Sequence, residues 1–333
     1  MAPPLYYCPR ECLAHETGDG HPERPARITA IEEALAARGG LGYERRTAPA
    51  ASREQLERVH APAYVERVRT LGMGTLAEDT VVGPGSYDAA AHAAGAACAM
   101  TEALVAGEGR VGFCAVRPPG HHAAADTTSG FCLFNSVAVA ARHALAALGV
   151  RRVLVVDWDV HHGDGTHDIF RDSAEVLFAS IHQVGLFPGT GALSDVGVRA
   201  GEGFAINLPV PDGADEDTYV SLLEHIVVPA GEEFRPGLVL ISAGYDAHRD
   251  DPQGGCRLET SSYAELARQV RALGEHVGAP VGAVLEGGYA LDALAGSVVA
   301  TMEGLAGDEP PDSVAPDFVT SRAASHIGHH WTL

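Results

Sequence analysis

The chain reads as an α/β protein built on a parallel sheet with helices on both faces. Three observations predict this. Short continuous apolar runs, such as residues 153–156 (VLVV), alternate with longer stretches of helical periodicity. Apolar runs without in–out alternation mark strands buried on both sides, which requires helices above and below. Polar clusters follow several of these runs directly, as expected where binding groups gather beyond the carboxyl ends of parallel strands.

Taken in order, residues 1–27 place Tyr6, Tyr7, His15, Glu16, His21, Glu23 and Arg24 among Pro and Gly, and read as a loop. Ile28, Ile31 and Leu35 recur at helical spacing, so residues 27–38 form an amphipathic helix, stopped by Gly39, Gly40 and Gly42. Pro62, Tyr64, Val65 and Val68 mark a second short helix. Residues 79–87 (DTVVGPGSY) read as a loop leading into an Ala-rich helix over 88–107. Strands are predicted at 111–116, 153–157, 176–181, 204–210, 238–242 and 281–285. Helices are predicted at 134–148, 215–233, 262–277 and 291–305. The tail, 307–333, carries His326, His329 and His330 past the last α/β unit with no carboxylate partner, so they read as surface or packing histidines.

Length, 333 residues, and the absence of any linker or repeat favour one domain over 1–333, with a core from about 15 to 305 and the tail packed on it. The formal charge of −21 argues against a nucleic-acid surface and favours cationic substrates. All 23 basic residues are Arg. No apolar stretch is long enough to be a membrane helix. The N-terminus lacks the regions of a signal peptide, and six cysteines without paired metal spacing read as reduced thiols. The expected compartment is the cytoplasm.

Residues 151–167 (RRVLVVDWDVHHGDGTH) hold the densest chemistry. A buried strand runs straight into Asp157, Asp159, His161, His162 and Asp164, and unpaired charge at the edge of a core is costly. Strand geometry points i and i+2 to one side, so Asp159 and His161 converge on a divalent metal, with Asp157 beside or behind them. Asp246, in SAGYDAH, also follows a strand and is the best third ligand. Two carboxylates and one imidazole suit Zn2+, with Fe2+ and Co2+ compatible on ligand grounds. Three protein ligands leave a position open for catalysis. His121 and His122, after the rigid turn Pro118-Pro119-Gly120, are candidate proton acceptors, and Asp157 and Asp164 are available to orient them. Tyr289 is placed to donate a hydrogen bond to an oxyanion.

These segments carry a resemblance. RPPGHHA (117–123), GFCLFNSVAVAARHA (130–144), DWDVHHGDGT (157–166), SAGYDAHRDDPQGG (242–255) and LEGGY (285–289) closely resemble the zinc-dependent histone deacetylase superfamily. The flavour is class II and its bacterial relatives, including acetylpolyamine amidohydrolases. The resemblance implies the arginase–deacetylase fold, with an eight-stranded parallel sheet flanked by helices on both faces. It assigns zinc to Asp159, His161 and Asp246, the general base and acid to His122, an electrostatic partner to His121, and carbonyl polarisation to Tyr289. Asp157 and Asp164 match the carboxylates behind the two histidines; class II members often have Asn where this chain has Asp164. Phe131 and Phe187 match the walls of an acyl-lysine tunnel with Gly130 at its side, and Arg27 matches an arginine near an acetate-release channel. Potassium is implied beside the zinc at Asp157, Asp159, His161, Ser180 and Ile181, and at a second site formed by Phe170, Ser173 and Val176.

The implied activity is removal of acyl groups from lysine side chains of proteins or peptides. A small-molecule acetylpolyamine hydrolase is the alternative, and a non-catalytic binding module a third reading. The polyamine-selective relative has a Glu seven residues after its third zinc ligand, where this chain has Gln253; a neutral amide cannot select a second ammonium. Thr80, in the loop before Tyr87, is expected at the tunnel mouth, binding a substrate amide. Family members often assemble through loops near the active site, so a homo-oligomer is among the implied partners.

Overall fold

The apolar runs do become strands with two buried faces. In the computed structural model, which describes residues 2–333, β1 (Leu5–Tyr7), β2 (Glu44–Arg46), β5 (Val111–Cys114), β6 (Val153–Asp157), β7 (Val176–Gln183), β8 (Ala205–Val210), β9 (Leu238–Ala243) and β10 (Val281–Leu285) form one sheet. Its order is β2-β1-β5-β10-β9-β6-β7-β8, and every pairing is parallel. Alternation shows in which core each residue joins. Leu154, Val156, Val239 and Ile241 enter one apolar cluster, and Val153, Val155, Leu238 and Leu240 enter the other. The first cluster is covered by α1 (Ala26–Ala37), α7 (Glu216–Leu222), α8 (Val228–Phe234), α9 (Thr260–Val277) and α10 (Leu291–Ala306). The second is covered by α3 (Pro62–Leu71), α4 (Ser86–Val105) and α5 (Ser136–Ala147). Short helices α2 (Arg53–Glu57) and α6 (Asp164–Phe170) complete the layers, and α11 (Phe318–Ile327) lies in the tail.

The polar clusters were expected after four strands, and those strands prove to be neighbours. β5, β10, β9 and β6 are consecutive at the centre of the sheet, so their carboxyl ends open onto one crevice. Register sharpens this, because Asp157 sits opposite both Ser180 and Ser242.

Several local expectations need correction. Residues 1–27 are not all loop: Leu5–Tyr7 is a buried strand pairing with β5, three residues being too few to show a period. Residues 79–87 contain β4 (Thr80–Val82), which pairs antiparallel with β3 (Gly74–Ala77). The predicted helix over 215–233 is two α-helices joined by a π-turn at Leu223–Val227. The tail docks through Trp331, whose indole N–H donates to the Gly203 carbonyl at 2.7 Å and whose ring meets Phe204 and Phe234 edge-on. His329 and His330 are exposed, and His326 is half-buried.

The Ala-rich composition of α4 permits close approach. A Cβ at Gly95 would stand 2.0 Å from the Pro49 carbonyl oxygen and 2.6 Å from the Ala51 nitrogen, both main-chain atoms. Glycine within a helix ordinarily costs stability relative to alanine. Here the sign reverses: Gly95→Ala should destabilise by roughly 1–3 kcal/mol through overpacking, read as a lower denaturation midpoint at unchanged slope. A gain in stability would show that the crossing at Gly95 is looser than described.

Candidate active site

Strand β6 ends at Asp157, so Asp159 and His161 do not converge by strand alternation. A turn brings them together instead, held by its own side chains. Asp157 accepts the Asp159 N–H at 3.1 Å, Asp159 accepts the His161 N–H at 2.9 Å, and Asp246, arriving from β9, accepts the Val160 N–H at 2.9 Å. The result is a tight ligand group. His161 Nδ1 lies 3.1 Å from Asp159 Oδ1 and 3.2 Å from Asp246 Oδ2. Ligand atoms about 2.0–2.1 Å from a tetrahedral zinc are about 3.3 Å apart, so the spacing fits. Asp246 Oδ2 is buried and accepts no hydrogen bond. Glycines make the room: a Cβ at Gly244 would be 2.1 Å from Asp159 Oδ2, and one at Gly287 2.1 Å from Asp246 Oδ2. His121, Cys132 and Glu286 form a second group whose ligand atoms lie within 4.8 Å of one another. Its members already have partners, in Asp157, the Gly130 carbonyl and two backbone N–H groups.

The electrostatics of the cluster are those of a cation site. Burial alone would lower the His161 pKa, but Asp246 and Asp159 lift it to about 10. Burial raises Asp246 to about 7, with Asp159 adding like-charge repulsion. Burial also acts to raise Asp159, yet His121 and His161 hold it well below the usual carboxylate range.

The two catalytic-histidine candidates are pushed in opposite directions. His121 Nδ1 is 3.0 Å from Asp157 Oδ2; burial opposes its charge, but Asp159 and Asp157 prevail and raise it well above the ordinary value. His122 Nδ1 is 2.7 Å from Asp164 Oδ1. Burial and the neighbouring His121 lower His122 to about 4, with Asp164 opposing. One imidazole is thus pushed towards its charged form and the other towards its neutral form, a division that suits acid–base work. Asp164 opens α6.

Tyr289 stands across the crevice. Its N–H and that of Ala290 donate to Asp251 Oδ2 at 2.6 and 3.0 Å. Burial raises the phenol well above 10, against the pull of Arg27, so it remains an O–H donor. Phe131 meets the Tyr289 ring edge-on at 5.8 Å, and Phe187, 45% exposed, meets His122 at 5.1 Å. Gly130 adopts φ +57°, and a Cβ there would be 2.2 Å from His122 Cδ2.

The structure brings together Asp159, His161, Asp246, His121, His122, Asp157, Asp164, Tyr289, Phe131, Phe187 and Gly130. Arg27 is wholly buried under Tyr289, its guanidinium carbon 4.9 Å from the ring centroid. Gln253 is half-buried, and its main-chain N–H donates to Asp251 Oδ1 at 3.0 Å. Thr80 is a correction: its side chain is fully buried and donates to Asp79 at 2.9 Å, so it does not line a mouth. Asp79 itself accepts the Gly130 N–H at 2.9 Å. Ser180 hydrogen-bonds His182 Nδ1 at 3.0 Å, and Ile181 points into the core. Phe170, Ser173 and Val176 span the turn from α6 to β7, where the Ser173 N–H donates to the Phe170 carbonyl.

Reading from sequence missed Asp251 and Glu286. Glu286 accepts the N–H groups of Gly120 and His121 at 2.6 and 3.1 Å, tying the histidine loop to β10. The signal was an acid directly after a buried strand, in LEGGY, the same signal that singled out Asp157.

A parallel α/β sheet with a compact Asp–His–Asp group, a neutral histidine and a phenol at its strand ends defines a hydrolase of the arginase–deacetylase fold. The comparisons narrow this. The histone deacetylase domain model matches residues 21–305, and the chain belongs to that family. It is 41% identical over 276 residues to the histone deacetylase-like amidohydrolase of Pseudomonas aeruginosa, covering 81% of this chain and 73% of that one. It is 40% identical over 313 residues to the human polyamine deacetylase HDAC10, covering 88% of this chain and 46% of that one. The crystal structure of the HDA15 HD domain superposes with a TM-score of 0.92 at 35% identity, covering 99% of this chain and 96% of that one. Family members are deacetylase and amidohydrolase enzymes.

Metal must displace the proton that His161 holds near pH 10. Zinc binding to metal-free protein should therefore release protons, and affinity should rise about tenfold per pH unit between about pH 7.5 and 9. Competition with a chelator, corrected for its own protonation, measures this; a flat profile would remove His161 from the ligand set.

Proposed function

We propose that the protein is a zinc-dependent deacylase that removes acetyl or other acyl groups from the side-chain amine of lysine in proteins or peptides. The observation that carries this reading is the compact Asp159–His161–Asp246 group with His122, hydrogen-bonded to Asp164, packed against Phe187, and Tyr289 packed against Phe131. Phe131 and Phe187 suit the apolar stem of an acyl-lysine, and the −21 formal charge suits a cationic surrounding sequence.

Zinc, when bound, supplies a Lewis acid for the acyl carbonyl and the attacking water. His122 accepts the water's proton at Nε2, because Nδ1 is engaged by Asp164. His121 keeps its positive charge beside Asp157 and helps to orient the water. Tyr289 donates its O–H to the oxygen on which negative charge develops. His122 then returns its proton to the departing amine. Arg27 and Asp251 fix the Tyr289 main chain on both sides. The reading extends to potassium at Asp157, Asp159, His161, Ser180 and Ile181, supported by the pairing of Asp157, the last residue of β6, with Ser180 of β7, and at Phe170, Ser173 and Val176. Six unpaired cysteines support a reducing compartment, the cytoplasm. Among the described residues no helix is long and apolar enough to cross a membrane.

A polyamine substrate is the second reading, favoured by the acidic surface and opposed by the neutral Gln253. The test is a turnover comparison of acetyl-lysine peptide, longer acyl-lysine peptides and N-acetylputrescine, with and without chelator. Peptide turnover that vanishes with chelator and returns with zinc is expected; turnover confined to N-acetylputrescine would select the second reading, and metal-independent hydrolysis would overturn both. Tyr289→Phe should lower kcat by about 10²–10³ with KM little changed, as for loss of one oxyanion donor. Asp164→Asn should lower kcat and move the acid limb of the pH–rate profile to lower pH, because the carboxylate raises His122. An unmoved acid limb would detach Asp164 from that role.

A further inference from the structure

We propose that Glu23 is a positioning residue that ties the two flanks of the catalytic site together, the His121–His122 loop through Arg117 and the Tyr289 loop through Arg27. This deepens the deacylase reading and rests on it for the roles of those side chains.

Glu23, Arg27 and Arg117 are all wholly buried. Arg117 Nε and one terminal nitrogen each donate to Glu23 at 2.7 Å, one to either carboxylate oxygen. Its other terminal nitrogen donates to the Cys12 carbonyl at 2.7 Å. All three nitrogens of the Arg117 guanidinium are therefore engaged, four residues before His121 and five before His122. Arg27, four residues after Glu23 and in the first turn of α1, donates to the same carboxylate at 3.4 Å. Its other donors reach forward to the Tyr289 loop: Nε to the Gly288 carbonyl at 2.7 Å and a terminal nitrogen to the Glu286 carbonyl at 2.5 Å. The carbonyls before and behind Gly287 are thus both held by one planar group, and the ring of Tyr289 rests over it.

Charge accounting explains why this carboxylate has no substitute nearby. Two guanidinium groups share one acid. Burial would raise the Glu23 carboxyl, but Arg117 above all holds it down to about 2. His15, 3.4 Å away, is lowered to about 4 by burial and stays neutral. The surplus positive charge falls on Arg27, the more distant partner, where two carbonyls and the Tyr289 π face receive it. Without Glu23 both guanidiniums would be buried without a counter-ion, and each would seek another partner. The main chain of Glu23 is itself pinned, its carbonyl accepting from Thr17 Oγ1 at 2.5 Å. The carboxylate is therefore a fixed point from which two arms reach loops that leave adjacent strands, β5 and β10.

The experiment compares zinc-loaded wild type with Glu23→Gln, Arg117→Lys and Arg27→Lys, by acetyl-lysine peptide kinetics and by amide hydrogen exchange over 117–122 and 286–290. Glu23→Gln should lower kcat on the order of 10- to 100-fold, the scale of a small misplacement of catalytic groups, with KM and zinc content unchanged. Exchange should quicken in both segments. Arg117→Lys should loosen 117–122 alone, and Arg27→Lys 286–290 alone. In a Tyr289→Phe background Glu23→Gln should cost less than it does in wild type, since part of its effect runs through the phenol; a merely structural role would cost the same in both. If Glu23→Gln does not fold, the two lysine variants, which keep a cation opposite Glu23, decide the matter through their separate exchange patterns. Wild-type kcat in Glu23→Gln, or both segments exchanging as in wild type, would overturn the proposal and leave Glu286 as the tie. The exchange readout holds even for a protein that fails to hydrolyse the peptide, so loss of the deacylase reading would be seen separately.

Discussion

Buried negative charge governs the catalytic end of this protein. Glu23, Asp157, Asp159, Asp246 and Glu286 all lie out of solvent at the carboxyl edge of the central strands. Each ion so buried costs several kcal/mol in desolvation unless partners replace the lost water. The partners found for each acid largely prescribe the site. Glu286 takes two backbone N–H groups and fixes the histidine loop. Asp157 takes His121, and Glu23 takes two arginines. Asp159 and Asp246 share only His161 between their facing oxygens, which leaves an excess that a divalent cation is suited to neutralise.

The same charges sort the two adjacent histidines. Their rings are 4.0 Å apart, so both cannot carry a proton cheaply. His121 lies nearer the fully buried carboxylates and takes the charge. His122 is paired with Asp164 at the edge of the crevice and stays neutral, available to accept a proton. Two chemically identical side chains acquire different roles from their surroundings, and Tyr289 keeps its proton for the same reason, burial without a base beside it.

Much of this was legible in the chain. The apolar runs gave six of the eight strands, and the acids and imidazoles directly after β5, β6, β9 and β10 prove to lie at neighbouring strand ends. The strands that escaped, β1 and β2, have three residues each, too short for periodicity, and are defined by their pairing with each other and with β5. Thr80 was misplaced because the β3–β4 hairpin turns its side chain inward and leaves Asp79 to face Gly130. Asp159 and His161 were rightly joined but for the wrong reason, since a hydrogen-bonded turn and not a strand aligns them.

The sequence by itself determined the kind of chemistry: residue types are fixed covalently, and Asp, His and Tyr set beside buried strands have few uses other than metal binding and proton transfer. Only the tertiary structure decided which groups face each other and which loops share a buried partner. Both depend on distances between segments far apart in the chain, such as Glu23 to Arg117 and Asp159 to Asp246. Electrostatic energies vary steeply with such distances and with burial, and neither quantity is written in the order of residues.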